Sequence, residues 1–370
     1  MKSTLLLMLL AFAISRSSDA PEHERDPKYI SLKGDRRRKE YEERGKEMLR
    51  KGVGVLTLAG GEGTRLGTKG PKGLFELPPG SGNTLFLRQA RKIEKRAPQS
   101  TWIVMVSSKT RAQTVPYLPS VLAKTSINKI YVIEQDDVDV EGFDGLPLKD
   151  KEGGIIRAPN GNGGVFKALH GKALVITKEG GGERNSMVEE LRAAGVECLN
   201  IVSIDNVLVN ILDPGALGFL SANALEVVSS GVPLREGAKM GVFLVKEGGH
   251  IHIREYLDAP EPGSLMVQSG EGMSIGNIAN HTLATRYLER VKGEGLEYHK
   301  SPKKIPNAED EQPKEPNGIK KELFIFDQFN GAESGVFEVG ESGYEGLKNR
   351  EGERESIESC LAKLRESGAL

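Results

Sequence analysis

Short apolar runs alternate with helical patterns along most of the chain. The strand-like runs are bounded by turn or polar residues and lie at 53–58, 102–106, 129–133, 198–203 and 239–245. Residues 84–95 and 187–194 have the spacing of amphipathic helices. Strands that alternate with helices predict an α/β fold with a mainly parallel sheet covered on both faces. In open sheets of this kind, ligands bind at the carboxyl ends of the strands.

The first twenty residues resemble a secretory signal peptide. Lys2 precedes an apolar run at 5–14, and small residues at 18–20 fit a cleavage site. The run is too short to span a bilayer. A misassigned start or a buried N-terminal helix are the alternative interpretations.

The rest of the chain divides into three parts. Residues 21–52 are predicted to be a helical segment, with a solvated helix at 35–50, residues 53–350 the main domain, and residues 351–370 a short C-terminal segment. Within the main domain, residues 303–321 are charged and contain three prolines, which predicts an exposed loop or tether. The apolar run at 322–329 returns this loop to the core.

Composition excludes several classes of protein. With 38% hydrophobic residues among 370, the chain is not disordered and can bury a core in one large domain or two smaller ones. Lys and Arg number 51 against 52 for Asp and Glu, so bulk charge favours neither nucleic acid nor a membrane surface. Cys198 and Cys360 lie far apart and are predicted to be inert thiols.

A glycine-rich loop follows the first predicted strand, in the segment VLTLAGGEGTRLGTKGPKG at 55–73. Several of its residues lack a Cβ, so backbone N–H groups can converge on an anion: Gly60, Gly61, Gly63 and Gly67. Arg65 and Lys72 add two positive charges suited to a polyanion. The spacing fits neither a P-loop nor the dinucleotide fingerprint. The loop predicts a triphosphate site, and a tight turn without a ligand is the alternative.

Two further motifs suggest a base and a metal ion. In APNGNGG at 158–164, Gly161, Asn162 and Gly163 offer a flat surface of backbone and amide to a planar base, although the motif taken alone favours a plain turn. In SIDN at 203–206, Asp205 follows a strand, where a carboxylate beside bound phosphates suits Mg²⁺. A helix cap or turn is the alternative for Asp205.

The remaining motifs concern a sugar and a mobile charge. In GNIANH at 276–281, Asn277 and Asn280 carry amides suited to sugar hydroxyls or an acetamido group, while His281 is interpreted as a structural histidine. In PNGIK, Lys320 follows a turn in the predicted loop, from which it is either solvated or able to close over phosphates.

Taken in order, these motifs resemble those of the eukaryotic UDP-N-acetylhexosamine pyrophosphorylases, within the UDP-sugar pyrophosphorylase family. The resemblance extends from about Arg44 to Asn349 and ends with VFEV at 336–339 and LKN at 347–349. It implies a Rossmann-like nucleotidyltransferase fold of the GT-A-like type. It also implies a uridylyltransferase that converts UTP and N-acetylglucosamine 1-phosphate into UDP-N-acetylglucosamine and pyrophosphate with Mg²⁺, by in-line attack at the α-phosphate.

The resemblance implies a role for each matching residue. The loop with Gly60, Gly61 and Gly63 contacts uridine and phosphates, and Arg65 and Lys72 face the triphosphate. Further nucleotide and nucleotide-sugar contacts are implied for Gln135, Asn162, Gly161 and Gly163.

Asp205 is implied to bind the metal, Asn277 the N-acetyl group, and Lys320 the phosphates. Glu255 and Tyr256 form an implied acidic and aromatic pair at the sugar.

The chain departs from the family pattern in two places. The family's C-terminal domain is expected to be reduced or absent, which favours a monomer. Ser229 and Ser230 stand where the family has a basic residue after paired valines. The alternative functions are a UDP-glucose or broad UDP-sugar pyrophosphorylase and a non-catalytic UDP-sugar-binding homologue. The need for UTP predicts a cytoplasmic protein, or one of the secretory pathway if residues 1–20 are a signal peptide.

Overall fold

The computed structural model describes residues 29–31, 35–235, 237–238, 240–246, 250–255 and 264–370. Its strands are β1 Tyr29–Ile30, β2 Val53–Leu58, β3 Thr101–Val106, β4 Lys129–Glu134, β5 Asp137–Asp139, β6 Arg157–Pro159, β7 Ala173–Thr177, β8 Gly181–Arg184, β9 Cys198–Ser203, β10 Val227–Pro233, β11 Val242–Val245, β12 Ile251–Arg254, β13 Leu265–Met266, β14 Ile275–Ala284, β15 His299–Lys303, β16 Gly318–Glu322 and β17 Ser334–Glu338. Its α-helices are α1 Arg37–Lys51, α2 Leu85–Arg96, α3 Arg111–Ala123, α4 Val165–His170, α5 Met187–Ala193, α6 Pro214–Ala222, α7 Thr285–Arg290 and α8 Ile357–Glu366.

One large mixed sheet organises the molecule. Strands β9, β2, β3 and β4 lie side by side and parallel at its centre. Strand β14 joins β9 to a second parallel group of β10, β17 and β1, while β7 and β8 extend the other edge antiparallel. The predicted α/β fold is confirmed, with the parallel part at the centre and antiparallel strands on its flanks.

The described residues form one hydrophobic core around the sheet, which extends from Ile30 to Leu364 of α8. One continuous core favours one large domain over two smaller ones. Both cysteines are buried and free, and burial raises the pKa of Cys198 to about 12, so that thiol stays protonated. Among the described residues, no helix combines the length and apolar character needed to cross a bilayer.

The central strands end at the same edge of the sheet. All six residues of β2 are buried, as expected for a strand covered on both faces. Leu58, the last residue of β2, lies opposite Ser203 of β9 and Met105 of β3. The segments that follow these strands therefore meet in space.

A chain of buried hydrogen bonds ties α2 to this edge. Trp102 Nε1 donates to Thr57 Oγ1 at 3.0 Å, and Thr57 Oγ1 donates to Gln89 Oε1 at 2.7 Å. Gln89, on α2, then donates from Nε2 to the carbonyl of Ser203 at 3.0 Å. Because each buried polar group has a partner, the network positions α2 against the ends of β2 and β9.

Helix α1 is more buried than the sequence predicts. Its charged face is exposed, but Tyr41, Gly45 and Met48 are buried. A Cβ on Gly45 would lie 1.8 Å from the carbonyl oxygen of Pro214, and one on Gly218 would lie 1.8 Å from that of Tyr41. The expectation of a solvated helix is wrong for this face, because small residues let α1 and α6 approach backbone to backbone.

The predicted loop at 303–321 is partly a hairpin. Strands β15 and β16 pair antiparallel, with Ser301 opposite Lys320. The expectation of a loop or tether is therefore wrong at residue 303 and at residues 318–321, which lie in these strands. The charges and prolines lie mainly between the strands, where they obscure the two short strand patterns in the sequence.

Candidate active site

The glycine-rich loop after β2 is closed by its own backbone. Lys72 N–H donates to the Gly61 carbonyl at 3.1 Å, and Gly63 N–H donates to the Gly70 carbonyl at 2.9 Å. A Cβ on Gly61 would meet no heavy atom within 4 Å, so the backbone there is open to a ligand. Gly67 has a φ of +78°, a left-handed conformation that favours glycine.

Two residues predicted to contact the nucleotide lie against each other. A Cβ on Gly60 would lie 2.4 Å from Oε1 of Gln135, which follows β4 and is buried. Ser107, which follows β3, donates from Oγ to the Gly60 carbonyl at 2.7 Å. The ends of β2, β3 and β4 therefore bring Gly60 and Gln135 together at one edge.

Lys72 connects the glycine-rich loop to Asp205. Its Nζ lies 3.1 Å from Oδ2 of Asp205, which follows β9. Ser203 donates from Oγ to the other carboxylate oxygen at 2.6 Å. The two charged side chains are only 13% and 22% exposed, so little water screens their attraction.

The surroundings of Asp205 favour its charged form. Burial alone raises the pKa of this carboxyl, but the Lys72 ammonium, the hydrogen bonds from Ser203 and Lys72, and the charge of Lys348 together lower the pKa below its ordinary value. Asp205 is therefore ionised at neutral pH and available to a cation.

Asp205 faces a cavity of about 240 Å³. Polar residues from five separate parts of the chain line it. They include five that belong to the motifs and matches found in the sequence: Asn162, Ser203, Asp205, Glu255 and Asn277. The Asn277 amide accepts from Ala279 N–H at Oδ1, 2.9 Å away, which leaves its Nδ2 group as the donor toward a ligand.

The glycines at 161 and 163 have a structural explanation. A Cβ on Gly161 would lie 2.5 Å from the Leu323 carbonyl oxygen, and one on Gly163 would lie 2.8 Å from the Leu323 Cβ. Asn162 Oδ1 also accepts from Ile325 N–H at 2.9 Å. The expectation that these glycines leave a flat open face for a base is wrong on the Cβ side, which the chain's own segment 322–325 covers.

Two other predicted residues stand apart from this cluster. Arg65 is exposed, and it is not among the described residues that line the Asp205 cavity. Lys320 lies on β16 and pairs with Glu322 at 2.8 Å, so it is neither in a loop nor at Asp205 in this structure. Tyr256 lies outside the described residues, although its neighbour Glu255 lines the cavity.

Lys348 is a further candidate residue, to which the sequence assigns no role. It lines the Asp205 cavity, and its Nζ lies 2.6 Å from Oε1 of Glu355. The lysine belongs to LKN, which carried the family resemblance without an assigned role. A lysine in a loop has no local pattern that marks it, so only the fold reveals its proximity to Asp205.

His281 has the environment expected of a structural histidine. Its ring is fully buried, with Nδ1 2.8 Å from Oγ of Ser229 and the ring edge-on to Phe329 at 5.0 Å. Burial lowers its pKa to about 3, so the ring is neutral at physiological pH. Ser229, which stands with Ser230 where the family has a basic residue, is therefore the buried hydrogen-bond partner of His281.

The donor set at Asp205 fits a magnesium ion that keeps most of its water. The described residues contain no group of three or more His, Cys, Asp or Glu side chains placed to hold a metal. Asp205 and the Ser203 hydroxyl nevertheless present hard oxygen atoms to the cavity. Mg²⁺ is commonly held by one or two carboxylates together with substrate phosphates and water, and such a site needs no all-protein cage.

Comparison with known proteins gives a consistent assignment. Residues 15–324 match the family model described as UTP--glucose-1-phosphate uridylyltransferase. The chain is 33% identical over 318 residues to a probable UDP-N-acetylglucosamine pyrophosphorylase of Encephalitozoon cuniculi, covering 84% of this chain and 85% of the relative. It is 31% identical over 323 residues to UDP-N-acetylhexosamine pyrophosphorylase-like protein 1 of Xenopus tropicalis, covering 80% of this chain but only 60% of the relative.

A solved structure supports the same assignment. The fold is similar to the crystal structure of a putative UDP-N-acetylglucosamine pyrophosphorylase from Entamoeba histolytica. The TM-score is 0.72 at 27% sequence identity, with 87% of this chain and 82% of that chain covered. The similarity therefore extends over most of both chains.

Proposed function

The chain belongs to the UTP–glucose-1-phosphate uridylyltransferase family, and we propose that it transfers the uridylyl group of UTP to N-acetylglucosamine 1-phosphate. The products are UDP-N-acetylglucosamine and pyrophosphate. The observation that carries the proposal is the ion pair of Lys72 and Asp205, which joins the glycine-rich loop to the lined cavity.

The reaction needs alignment and charge neutralisation more than a protein nucleophile. A phosphate oxygen of the sugar phosphate attacks the α-phosphorus of UTP, and the bond from that phosphorus to the oxygen bridging to the β-phosphate breaks. The bond electrons leave with pyrophosphate, so no protein group needs to take or give a proton. Two anions must approach each other, which explains the need for cationic side chains such as Lys72 and Lys348 near Asp205.

We assign Lys72, which contacts Asp205, to the triphosphate, and Lys348 to the cavity that Asp205 lines. Lys72 reaches from a loop whose open Gly61 backbone can bind phosphate oxygens, so its ammonium is placed to stabilise the leaving pyrophosphate. Lys348 approaches Asp205 from the C-terminal part of the chain. Arg65 is exposed on the same loop, where it can reach the outer phosphates.

Asp205 and Ser203 are the residues that we propose to hold Mg²⁺. The ion would supply charge neutralisation at the α-phosphate when bound. Asp205 is ionised and already aligned by the Ser203 hydroxyl. In this structure Lys72 donates to one carboxylate oxygen of Asp205. We propose that its ammonium moves toward the phosphates when UTP binds.

Asn277 supports N-acetylglucosamine as the sugar. Its Oδ1 atom is engaged by the backbone, so its Nδ2 group is the donor oriented for an acetamido carbonyl. Glu255 and Asn162 line the same cavity and carry groups that suit sugar hydroxyls. The name of the matching family mentions glucose 1-phosphate, which keeps a UDP-glucose or broad UDP-sugar pyrophosphorylase as the second candidate.

A coupled pyrophosphate assay tests the proposal. The purified full chain, UTP and Mg²⁺ are combined in parallel with N-acetylglucosamine 1-phosphate, N-acetylgalactosamine 1-phosphate or glucose 1-phosphate. We expect the N-acetylated sugars to give the faster release. Faster release with glucose 1-phosphate favours the second candidate, and binding of UDP-N-acetylglucosamine without any release identifies a non-catalytic homologue.

We also propose a cytoplasmic location, because the reaction consumes UTP. The segment that resembles a signal peptide lies outside the described residues. N-terminal sequencing of the protein isolated from its own cells checks the proposal: removal of about twenty residues would contradict it.

A further inference from the structure

A second cavity, of about 760 Å³, lies beside the segment 207–213. It shares no lining residue with the cavity around Asp205. Its described lining carries four basic side chains and a single carboxylate, that of Asp213, and we call it the basic cavity. The four are Arg38, Lys92, Lys95 and Arg96.

The cations of the basic cavity are bound mainly to neutral acceptors. Lys92 donates from Nζ to the carbonyls of Val207 and Val209 at 2.8 and 2.9 Å. Arg96 donates to the Asn210 side-chain oxygen at 2.9 Å. Carbonyl and amide oxygens carry no net charge, so these hydrogen bonds orient the cations without neutralising them.

The carboxylates near the cavity do not balance this charge. Asp213 accepts from Gly215 N–H and from the Asn210 amide, which fixes it as the N-cap of α6. Asp213 and other nearby acidic residues raise the pKa of Arg38, although burial, the larger effect, lowers it. The excess positive charge therefore comes from Lys92, Lys95 and Arg96, on the last turns of α2.

Burial adds to the need for a counter-charge at Lys92. It lowers the pKa of Lys92 to about 8, and the charge of Arg88 acts in the same direction. The two carbonyl oxygens hold the ammonium in place, so it is presented to the cavity at low cost in side-chain entropy. Lys95 and Arg96 are exposed and can adjust to a ligand at the mouth.

We propose that the basic cavity binds a small, multiply charged phosphate compound. Its volume lies within the range of small-molecule sites, and its lining offers both Lys and Arg donors to phosphate oxygens. The chain as a whole has a net charge of −1, so the positive charge is local and does not form an extended surface for a polymeric anion. A phosphate group also carries more than one negative charge on one centre. It can therefore interact with Lys92, Lys95 and Arg96 together.

The Asp205 cavity and the basic cavity lie near each other, so variants are needed to separate phosphate binding at one from binding at the other. Gln89 and Lys92 lie on α2, and they bind the backbone on either side of Asp205, at Ser203 and at Val207. A phosphate compound can therefore report on both cavities in one titration. Variants of Lys72 and variants of the basic cavity distinguish the two contributions, whatever the outcome for the proposed reaction.

Isothermal titration calorimetry of the full chain with tripolyphosphate, without divalent cations, tests the proposal. We expect one binding event that Lys72→Gln removes and a second that it leaves intact. The double variant Lys95→Gln/Arg96→Gln should weaken the second event about tenfold or more, because two charged donors are lost. Both side chains are exposed, so folding should persist, as a thermal melt would verify.

Arg91→Gln is the matched control. Arg91 is an exposed residue of the same helix, binds Asn83 and does not line the basic cavity. Its loss should change the second affinity by less than about twofold. An equal loss from Arg91→Gln and from the double variant would reveal general surface attraction and overturn the proposal.

Two further outcomes also decide the matter. If Lys72→Gln abolishes all saturable tripolyphosphate binding, the basic cavity is not a site. If citrate, a carboxylate anion, binds the second site as tightly as tripolyphosphate, the assignment to phosphate compounds is wrong. The Lys92→Gln variant, which keeps a donor for the Val207 carbonyl, should lower the second affinity in the same direction as the double variant.

Discussion

Lys72 and Asp205 lie 133 positions apart in the chain, yet their charged atoms are 3.1 Å apart. The parallel pairing of β2 with β9 explains the contact, because Leu58 and Ser203 are opposite each other at the ends of those strands. The loop after one strand and the aspartate after the other therefore meet at the same edge of the sheet.

The Lys72→Met variant tests the assignment of Lys72 to the phosphates. We expect kcat to fall about a hundredfold to a thousandfold, as for the loss of one preorganised charged donor. Lys69→Met, an exposed lysine of the same loop, is the control and should retain nearly full turnover. Steady-state kinetics of pyrophosphate release measure both, and full turnover in Lys72→Met would remove Lys72 from the mechanism.

Two glycine variants separate packing from ligand binding. Gly161 has a φ of +92° and faces the Leu323 backbone, so Gly161→Ala should lower the free energy of unfolding by about 2 kcal/mol or more. Gly61 faces open space, so Gly61→Ala should change stability by less than about 0.5 kcal/mol while weakening UTP binding. Urea unfolding and UTP titration provide the two measurements. Equal stabilities for the two variants would contradict this account.

His281 makes stability depend on pH below neutrality. Its folded pKa is about 3 against an ordinary value of 6.5, so between these values the unfolded state binds a proton that the folded state excludes. Stability attributable to this residue is complete above pH 6.5 and declines as the pH falls. At pH 5 the loss should be about 2 kcal/mol.

The His281→Gln variant has no such group, so its loss of stability between pH 7 and pH 5 should be smaller by about that amount. Urea unfolding at the two pH values measures the difference. An NMR titration of the wild-type ring gives an independent check, and a pKa near 6.5 would show that the ring is accessible to protons.

The Asn277→Asp variant tests the sugar assignment. It keeps the oxygen that accepts from Ala279 N–H and removes the Nδ2 donor. We expect kcat/KM to fall more for N-acetylglucosamine 1-phosphate than for glucose 1-phosphate, because the missing donor is the one assigned to the acetamido carbonyl. An equal fall for both sugars would show that Asn277 does not read the N-acetyl group.

Continuous apolar strands made much of the fold predictable. The bounds of β2 and β9 match those predicted from the sequence, because these central strands are mostly apolar and are bounded by turn residues. Helix α2 was also placed within a residue at each end, with Thr84 as its N-cap. The comparisons confirm the family that the sequence motifs indicate. The family was predictable because several motifs in a fixed order carry more information than any one of them.

Other elements were hidden by their composition. Helix α3 contains Pro116 and Pro119, which interrupt the usual helical signal. The β15–β16 hairpin lies within a charged segment, and its pairing depends on contacts distant in sequence.

The candidate site was predictable where motifs follow central strands and less so elsewhere. Asp205 and Lys72 follow β9 and β2, so the strand order brings them together. Lys348 comes from a loop near the C-terminus, and no local pattern indicates that it reaches the same cavity. Lys320 belongs to a stronger motif, but its predicted position in a loop is wrong because the sequence does not reveal the hairpin. The residue lies on β16 and pairs with Glu322.

The most direct test follows the α-phosphorus of UTP. UTP labelled at that atom is incubated with N-acetylglucosamine 1-phosphate, Mg²⁺ and either the wild-type chain or Asp205→Asn, and the products are separated by chromatography. We predict that the wild type places the label in UDP-N-acetylglucosamine and releases unlabelled pyrophosphate, while Asp205→Asn folds but forms the labelled product at least about a hundredfold more slowly. Absence of labelled nucleotide sugar with the wild type, or undiminished formation with Asp205→Asn, would contradict the account.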